Sequence, residues 1–424
     1  MLFTSYRKGF RSTCILILIV CMILTCLSGC SSEKQAESAD NSEPSLEKIA
    51  DNLYETTYTG DFDWEYAATA ELSGVSCSGV QNGQYRGRNY DWMYADTDLC
   101  IVHTTVTENR PHASVGVSDM SFALNEDGSY NRALLPFTTV DGINDAGVCI
   151  QVNVLPYGEN GTISHTDTTE DDLAGTNLNR YVLDYADSVE DALTLLKAKD
   201  IHSEMGTAEE LHWMISGPAS KNDSTIKTVV VEAFPDGLHV TEKFIDDKPI
   251  MTNFNVSNFD GTADTIGIGA GYERWQILDE YYDQANSVMG TFDLMEKVFF
   301  SKMYDVYGDR FWYSEYNGTD LANIYDAETL KSILGEDTYN FYMENYGGVY
   351  YTSALWDGET VINGDYSKAG ILADIVERVT EKYNAQAKDG GLWITVHTSV
   401  YDLENLTLDI QVRESQDHLH FTID

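Results

Sequence analysis

A chain of 424 residues with 69 acidic against 26 basic side chains carries a formal net charge of −43 at pH 7. Such a surface repels phosphate backbones and anionic headgroups, which excludes nucleic-acid binding and electrostatic docking on a membrane as first readings. Hydrophobic residues at 43% and charged residues at 22% describe an ordinary globular body, long enough for one large domain or two.

The first residues read as a targeting segment, 1–29. Arg7, Lys8 and Arg11 form a basic region, and Cys14 to Leu27 is an apolar run too short and wrongly flanked for a membrane span. The run ends in Leu27-Ser28-Gly29-Cys30, which resembles the lipobox of bacterial lipoproteins. That resemblance implies cleavage before Cys30, lipid on Cys30, and an exported protein anchored at the cell surface. Residues 30–76 then form a tether and propeptide. Its first part is polar and acidic without an apolar period, and Leu46 to Tyr54 has a weak helical pattern. Phe62, Trp64, Tyr66 and Leu72 are expected to pack on the folded body that follows, 77–424.

Cys77 opens a run of strands. Asn82-Gly83 signals a two-residue hairpin turn, and counting outward from it sets Cys77 opposite Arg88. Directly opposed side chains share a face at roughly 4.5–5.5 Å between Cβ atoms. A guanidinium beside a thiol favours the thiolate, which is the nucleophilic form. Asp91 has the opposite strand parity to Arg88, so it reaches the same place only where the strand bends or ends. Of the seven cysteines, Cys14, Cys21 and Cys26 leave with the signal and Cys30 takes lipid. Cys100 and Cys149 lie in apolar runs as small buried hydrophobes, and the spacing is neither a disulfide framework nor a zinc pattern.

Further strands are expected at Leu99 to Val106, Ala113 to Phe122, Phe137 to Ile143 and Val148 to Val154, the last two flanking a turn at Asn144-Asp145-Ala146-Gly147. Residues 157–178 form a long polar loop. Ser188 caps a helix that runs through Leu196. Strands follow at Leu211 to Ser216, Thr228 to Phe234, Leu238 to Phe244 and Ile250 to Phe254. Helices are expected at Tyr272 to Gln284, Met289 to Met303, Ala327 to Leu334 and Ala369 to Ala385, and closing strands at Leu392 to Tyr401, Asn405 to Arg413 and His418 to Ile423. Strands, then helices, then strands indicate an α+β fold with antiparallel sheets.

At this point several motifs in order carry a resemblance. Cys77-Ser78-Gly79-Val80 with Gly87-Arg88-Asn89-Tyr90-Asp91-Trp92 resembles the start of the choloylglycine hydrolase and penicillin V acylase family of N-terminal nucleophile (Ntn) hydrolases. The segment Val140 to Val148, the pairs His212-Trp213 and Val231-Glu232, Thr252-Asn253, Gly271 to Trp275, and Thr398 to Asp402 resemble its later motifs. The resemblance implies a four-layer αββα sandwich that cleaves linear amide bonds of a small N-acyl substrate, without metal or cofactor. It implies Cys77 as nucleophile with its own freed α-amine as base, Arg88 and Asp91 holding thiolate and amine, Asn253 as an oxyanion donor, and Arg274 organising the site. The family's second oxyanion asparagine lies two residues before a proline. Counting back from Pro156, that place holds Val154, and Asn153 is one residue away, on a face shared with Gln151. Which face lines the pocket is left open.

Cys77 follows neither a start Met nor the signal cleavage site, so a free α-amine requires cleavage of Ser76–Cys77, expected to be autoproteolytic. Two other readings stand beside hydrolysis. One is acyl transfer through the same thioester. The other is a non-catalytic surface-binding lipoprotein, which accounts for the lipobox and acidity but not for the motifs recurring in order. Nothing in the sequence argues against a homo-oligomer.

Overall fold

The computed structural model describes residues 44–64, 76–92, 97–125, 127–155, 172–202, 210–234, 237–262, 265–266, 271–299, 327–336, 339–340, 394–413, 415 and 417–423. The signal segment, Cys30, most of the 157–178 loop and the 369–385 helix lie outside the described residues.

The chain begins in one sheet, crosses to a second, and returns. Strands β1 (Glu47–Ala50) and β2 (Leu53–Tyr58) start the first sheet; β3 (Ser76–Asn82) and β4 (Tyr85–Trp92) form a hairpin in the second. The first sheet resumes with β5 (Leu99–Thr104), β6 (Ser114–Asp119), β7 (Thr139–Asn144) and β8 (Cys149–Leu155). A short parallel pair, β9 (Asp172–Ala174) and β10 (Asp200–His202), brackets helices α1 (Leu178–Tyr185) and α2 (Val189–Lys197). Strands β11 (Glu210–Ser220), β12 (Asp223–Phe234) and β13 (Gly237–Thr241) complete the first sheet, and β14 (Ile250–Met251) joins the second. Helices α3 (Tyr272–Glu280), α4 (Val288–Glu296) and α5 (Ala327–Leu334) follow, then β15 (Ile394–Asp402), β16 (Thr407–Val412) and β17 (His418–Thr422).

The nine-stranded sheet runs β1-β2-β5-β6-β7-β8-β11-β12-β13 and the six-stranded sheet β14-β3-β4-β15-β16-β17. All pairings in them are antiparallel except β2 with β5. Helices α1 and α2 pack on β7, β8, β11 and β12, and α3 and α4 on β3, β4, β14 and β15. Because β3 packs on β8 and β7 on β16, the two sheets face each other between the helices. The result is the expected α+β architecture in four layers, αββα. Two glycines mark how closely the layers approach. A Cβ on Gly79 would lie 2.4 Å from the Gln151 side chain across the sheets, and one on Gly87 would lie 2.6 Å from Thr291 of α4 on the other face.

Helix α2 starts where its cap requires. Ser188 Oγ accepts the Asp191 N–H at 3.2 Å, Glu190 and Asp191 occupy the positive first turn, and Lys197 the last. Its Val189, Ala192, Leu193 and Leu196 are buried. Helix α1 was not foreseen, since its sequence LNRYVLDY follows a long polar stretch. Its C-terminal end is held by Asn144, whose Nδ2 donates to Leu183 O and Ala186 O at 3.2 and 2.8 Å.

Two expectations change. Leu46 to Tyr54 is extended rather than helical: tertiary pairing of Leu53 through Tyr58 with Leu99 through Thr104 outweighs a weak local pattern. The first hairpin turns at Gly83-Gln84 rather than Asn82-Gly83, with Asn82 paired to Tyr85. Only Gly83 takes a positive φ, of 56°, which is the pattern of a Gly-X turn and needs no left-handed Asn. Moving the turn by one residue shifts each pair by two, so faces are preserved. Cys77 opposes Tyr90, and Arg88 opposes Gly79 as the diagonal neighbour of Cys77.

Candidate active site

Strand β14 ends opposite Gly79, two residues short of Cys77. The backbone of Cys77 therefore meets side chains where a strand would otherwise continue. Its N–H donates to Asn253 Oδ1 at 2.9 Å, and its carbonyl accepts from Arg274 Nη1 at 2.7 Å. Its Sγ lies 3.5 Å from Arg88 Nη2. Cys77 is 1% exposed.

Asn253 sits just beyond β14, and Arg274 in the first turn of α3. A cation there opposes the helix dipole. Its acceptors offset this: besides Cys77 O, Arg274 reaches Ser78 Oγ at 3.1 Å and Asn253 Oδ1 at 2.7 Å, with Asp91 Oδ2 3.8 Å away. The approach needs glycine before the helix. Gly271 has φ of 90°, and a Cβ on it would lie 2.7 Å from Arg274 Nη2. Asn253 Nδ2 donates to Val154 O at 2.5 Å, which settles its amide orientation, since Oδ1 takes two donors. An amide nitrogen carries a second N–H, the chemical capacity an oxyanion donor needs.

The loop bearing Asn253 is held by two residues that sequence reasoning quoted as motif but gave no role. His212 and Glu232 oppose each other on β11 and β12. His212 Nε2–H donates to Thr252 O at 2.9 Å, and Glu232 accepts the Val256 and Ser257 N–H groups at 2.7 and 3.0 Å. Burial pushes the Glu232 carboxyl up, but His212 and Ser257 bring it below its ordinary value. Asn153 faces the inter-sheet layer with Gln151; its Nδ2 donates to Thr252 O and its Oδ1 accepts from Gln151 Nε2, each at 3.0 Å.

The two faces of the β3–β4 hairpin carry different halves of the site. Cys77, Arg88 and Tyr90 face the other sheet, whereas Ser78, Asn89 and Asp91 face the helices. Asp91, opposite Ser76, accepts from Thr395 Oγ1 at 2.6 Å beside a bulge in β15. It thus meets Arg274 from the helix side, while Arg88 meets the thiol from the sheet side.

Another residue the sequence reading did not single out is Asp141 of β7. It is fully buried, and its Oδ2 accepts from Arg88 Nη1 and, at 3.1 Å, from His397 Nε2. Its Oδ1 accepts from Tyr401 Oη and, at 2.9 Å, from Ser399 Oγ. Burial alone would raise its carboxyl, but Arg88 and His397 hold it well below the usual carboxylate range. The signal was present as a lone charge in the strand Thr139–Asn144 and as the alternating polar residues His397, Ser399 and Tyr401.

Electrostatics modify the expected activation of Cys77. Burial pushes its thiol above the ordinary value; Arg88 opposes this, and Arg274 adds a smaller effect of the same sign. A buried thiol next to a guanidinium already bridged to a carboxylate is not a standing thiolate. Among the described residues, no group of three or more His, Cys, Asp or Glu is arranged to hold a metal ion.

Residues 73–264 match the family model of linear amide C–N hydrolases, choloylglycine hydrolase family. Among solved structures, the chain is similar to a mutant of the conjugated bile acid hydrolase from Clostridium perfringens, at 16% identity and TM-score 0.39, covering 82% of this chain and 92% of that one. It is also similar to penicillin V acylase from Agrobacterium tumefaciens, at 14% identity and TM-score 0.33, covering 82% and 86%. No curated protein matches. The matched segment contains Cys77, Arg88, Asp91, Asp141, Asn153 and Asn253, with Arg274 beyond its end, and over residues 73–264 this chain is similar to the linear amide C–N hydrolases of the choloylglycine hydrolase family.

Proposed function

We propose that this amide hydrolase uses Cys77 as an N-terminal nucleophile, exposed by cleavage of Ser76–Cys77, on N-acyl substrates such as a conjugated bile acid, penicillin V or an N-acyl amine. The observation that carries this reading is the grip on one residue. The N, O and Sγ of Cys77 are each held by a different buried side chain, Asn253, Arg274 and Arg88.

Cleavage comes first. The Cys77 thiol adds to the Ser76 carbonyl, the peptide C–N bond breaks to give a thioester and a free α-amine, and water releases the Ser76 carboxylate. Asn253 Oδ1, which accepts the Cys77 N–H in the continuous chain, then accepts an N–H of the α-ammonium. With an unperturbed pKa of roughly 7.7–8.0, an α-amine suits a base that must later return its proton. In turnover the amine takes the thiol proton, and the thiolate attacks the acyl carbonyl while Asn253 Nδ2 and a backbone N–H hold the oxyanion. The ammonium protonates the leaving amine, and water then clears the acyl thioester. The burial of Cys77 fits this order, because no acyl group from solvent reaches the thiol while it is internal.

Export and anchoring through lipid on Cys30 belong to the same proposal. Packing of residues 44–64 into the fold supports the body staying with the anchor after cleavage. Strand β2 pairs with β5, Phe62 and Trp64 pack edge-on against Phe137 with centroids 5.3 and 5.2 Å away, and the Arg110 guanidinium lies 4.4 Å from the centre of the Phe62 ring.

Intact-mass analysis of exported protein tests the cleavage: a chain beginning at Cys77 is expected, and an active, uncut chain would sink the mechanism. A panel of N-acyl amides, read by mass spectrometry with and without added amine acceptors, identifies the substrate and separates hydrolysis from transfer.

A further inference from the structure

Arg88 is 1% exposed and makes its contacts at both ends of its fork. Nη2 serves Cys77 Sγ and, at 2.9 Å, Val152 O; Nη1 serves Asp141; the Tyr90 ring lies 4.8 Å from the guanidinium carbon. Only Asp141 among these carries a full opposite charge. Asp141 in turn is saturated. A carboxylate offers about four acceptor positions, and Arg88, His397, Ser399 and Tyr401 fill them. It has no lone pair left for a substrate proton, so its chemistry is to fix what surrounds it. His397, Ser399 and Tyr401 recur at every second residue of β15, opposite Tyr90, Arg88 and Arg86 of β4. Register alone therefore brings three donors onto one carboxylate.

Resting on the nucleophile assignment above, we infer that Asp141 is a positioning residue for amide hydrolysis: it seats the Arg88 guanidinium against the Cys77 thiol, and the β15 row seats Asp141. The inference separates charge from position. In Asp141→Asn the amide oxygen takes Arg88 and His397, and the amide N–H groups face Ser399 and Tyr401, whose hydroxyls can turn and accept. Asp141→Ala removes the seat altogether.

The test is a double-mutant cycle with Arg88→Met, using the N-acyl amide that the wild-type enzyme turns over fastest. Asp141→Ala is expected to lower kcat by about 100-fold, the scale of a misplaced catalytic contact, with KM moving by less than about threefold. Asp141→Asn should recover activity to within about tenfold of wild type. On the Arg88→Met background, adding Asp141→Ala should change kcat by less than about twofold, because the two residues act through one contact. Losses that multiply, or a loss confined to KM, overturn the inference. Should Asp141→Ala fail to fold, Ser399→Ala and Tyr401→Phe take its place, with smaller losses that also vanish on the Arg88→Met background. Cys77→Ser keeps the two questions apart. Persisting hydrolysis there refutes the nucleophile assignment, whereas a dead Cys77→Ser with an additive cycle refutes only the role of Asp141.

Discussion

Two cysteine–arginine pairs lie side by side between the sheets, and only one has its cysteine held by side chains at N, O and Sγ. Cys77 has Arg88; Cys149 has Arg86, two residues earlier on the same face of β4. All four residues are buried. Arg86 donates only to uncharged acceptors: Cys149 O at 2.9 Å, Met214 O at 2.7 Å, Ser216 Oγ at 3.2 Å and Gln151 Oε1 at 3.4 Å. Burial lowers its pKa. Burial acts on Arg88 in the same direction, but Cys77 and Asp141 turn that shift upward. Burial pushes the Cys149 thiol up to about 12 despite Arg86. The backbones differ as well. Cys149 pairs with Ile143 on one side and Ser216 on the other, while Cys77 lies past the end of β14 and offers its N–H and carbonyl to side chains. An arginine beside a thiol is thus not what distinguishes the proposed nucleophile from Cys149. The interrupted ladder and the carboxylate behind the arginine are.

The widest separation between the pairs is expected from the thiols themselves. Cys77→Ser should lower amide turnover by roughly 10⁴-fold or more, as removal of a nucleophile does elsewhere, and should leave Ser76 joined to residue 77 or cut very slowly. Cys149→Ala should keep turnover within about tenfold and cost about 1 kcal/mol of stability as a small core deletion. Steady-state rates and intact mass on both variants decide it. Equal losses would make the two pairs functionally alike and remove the basis of the comparison.

The arginines should separate next. Arg88→Met strands Asp141 as a buried charge, which typically costs about 3–5 kcal/mol, and is expected to lower kcat by about 100-fold. Arg86→Met strands only neutral acceptors, at about 1–3 kcal/mol, and is expected to keep turnover within about tenfold. Chemical denaturation together with kinetics reads both axes. An Arg86→Met enzyme as impaired as Arg88→Met would mean that the whole inter-sheet row, rather than the Asp141 end of it, supports the chemistry.

Much of this was legible in the chain, and the gaps have physical causes. Period-2 apolar runs announced β5 to β8 and the closing strands. The parity of Cys77 and Arg88 survived a misplaced turn, because a two-residue register shift keeps the face. The divergence of Asp91 from Arg88 was also visible as parity, but its meeting with Arg274 was not, since helix packing across the outer face has no local signature. Asp141 was overlooked because three of its four donors come from residues more than 250 positions later, and only the paired sheets bring them together. Leu46 to Tyr54 was misread as helical for a related reason: a strand whose partner follows a second-sheet hairpin has little local periodicity to announce it.

The smallest expected effect is thermodynamic, and it tests what sets Arg88 apart. Asp141 and Asp119 are both buried near Tyr90, yet their carboxyls shift in opposite directions. Burial raises Asp119 beyond what Ser121 and Tyr90 offset, whereas Arg88 and His397 carry Asp141 below its ordinary value despite burial. A carboxyl depressed in the folded state stabilises above its unfolded pKa, about 3.9, and that stability is lost as pH falls through the folded value. A raised carboxyl acts with the reverse sign: its relative contribution is fully present below about pH 3.9 and is lost as pH rises through the folded value. Wild-type stability should therefore fall more steeply than that of Asp141→Asn once pH drops below about 4, and the gap between them should narrow there. For Asp119→Asn the gap should instead widen toward acid. Denaturant midpoints measured across this range read the slopes. Parallel curves for wild type and Asp141→Asn would mean that Asp141 is not an ionised partner of Arg88, and the contrast between the two cysteine–arginine pairs would then rest on the backbone of Cys77 alone.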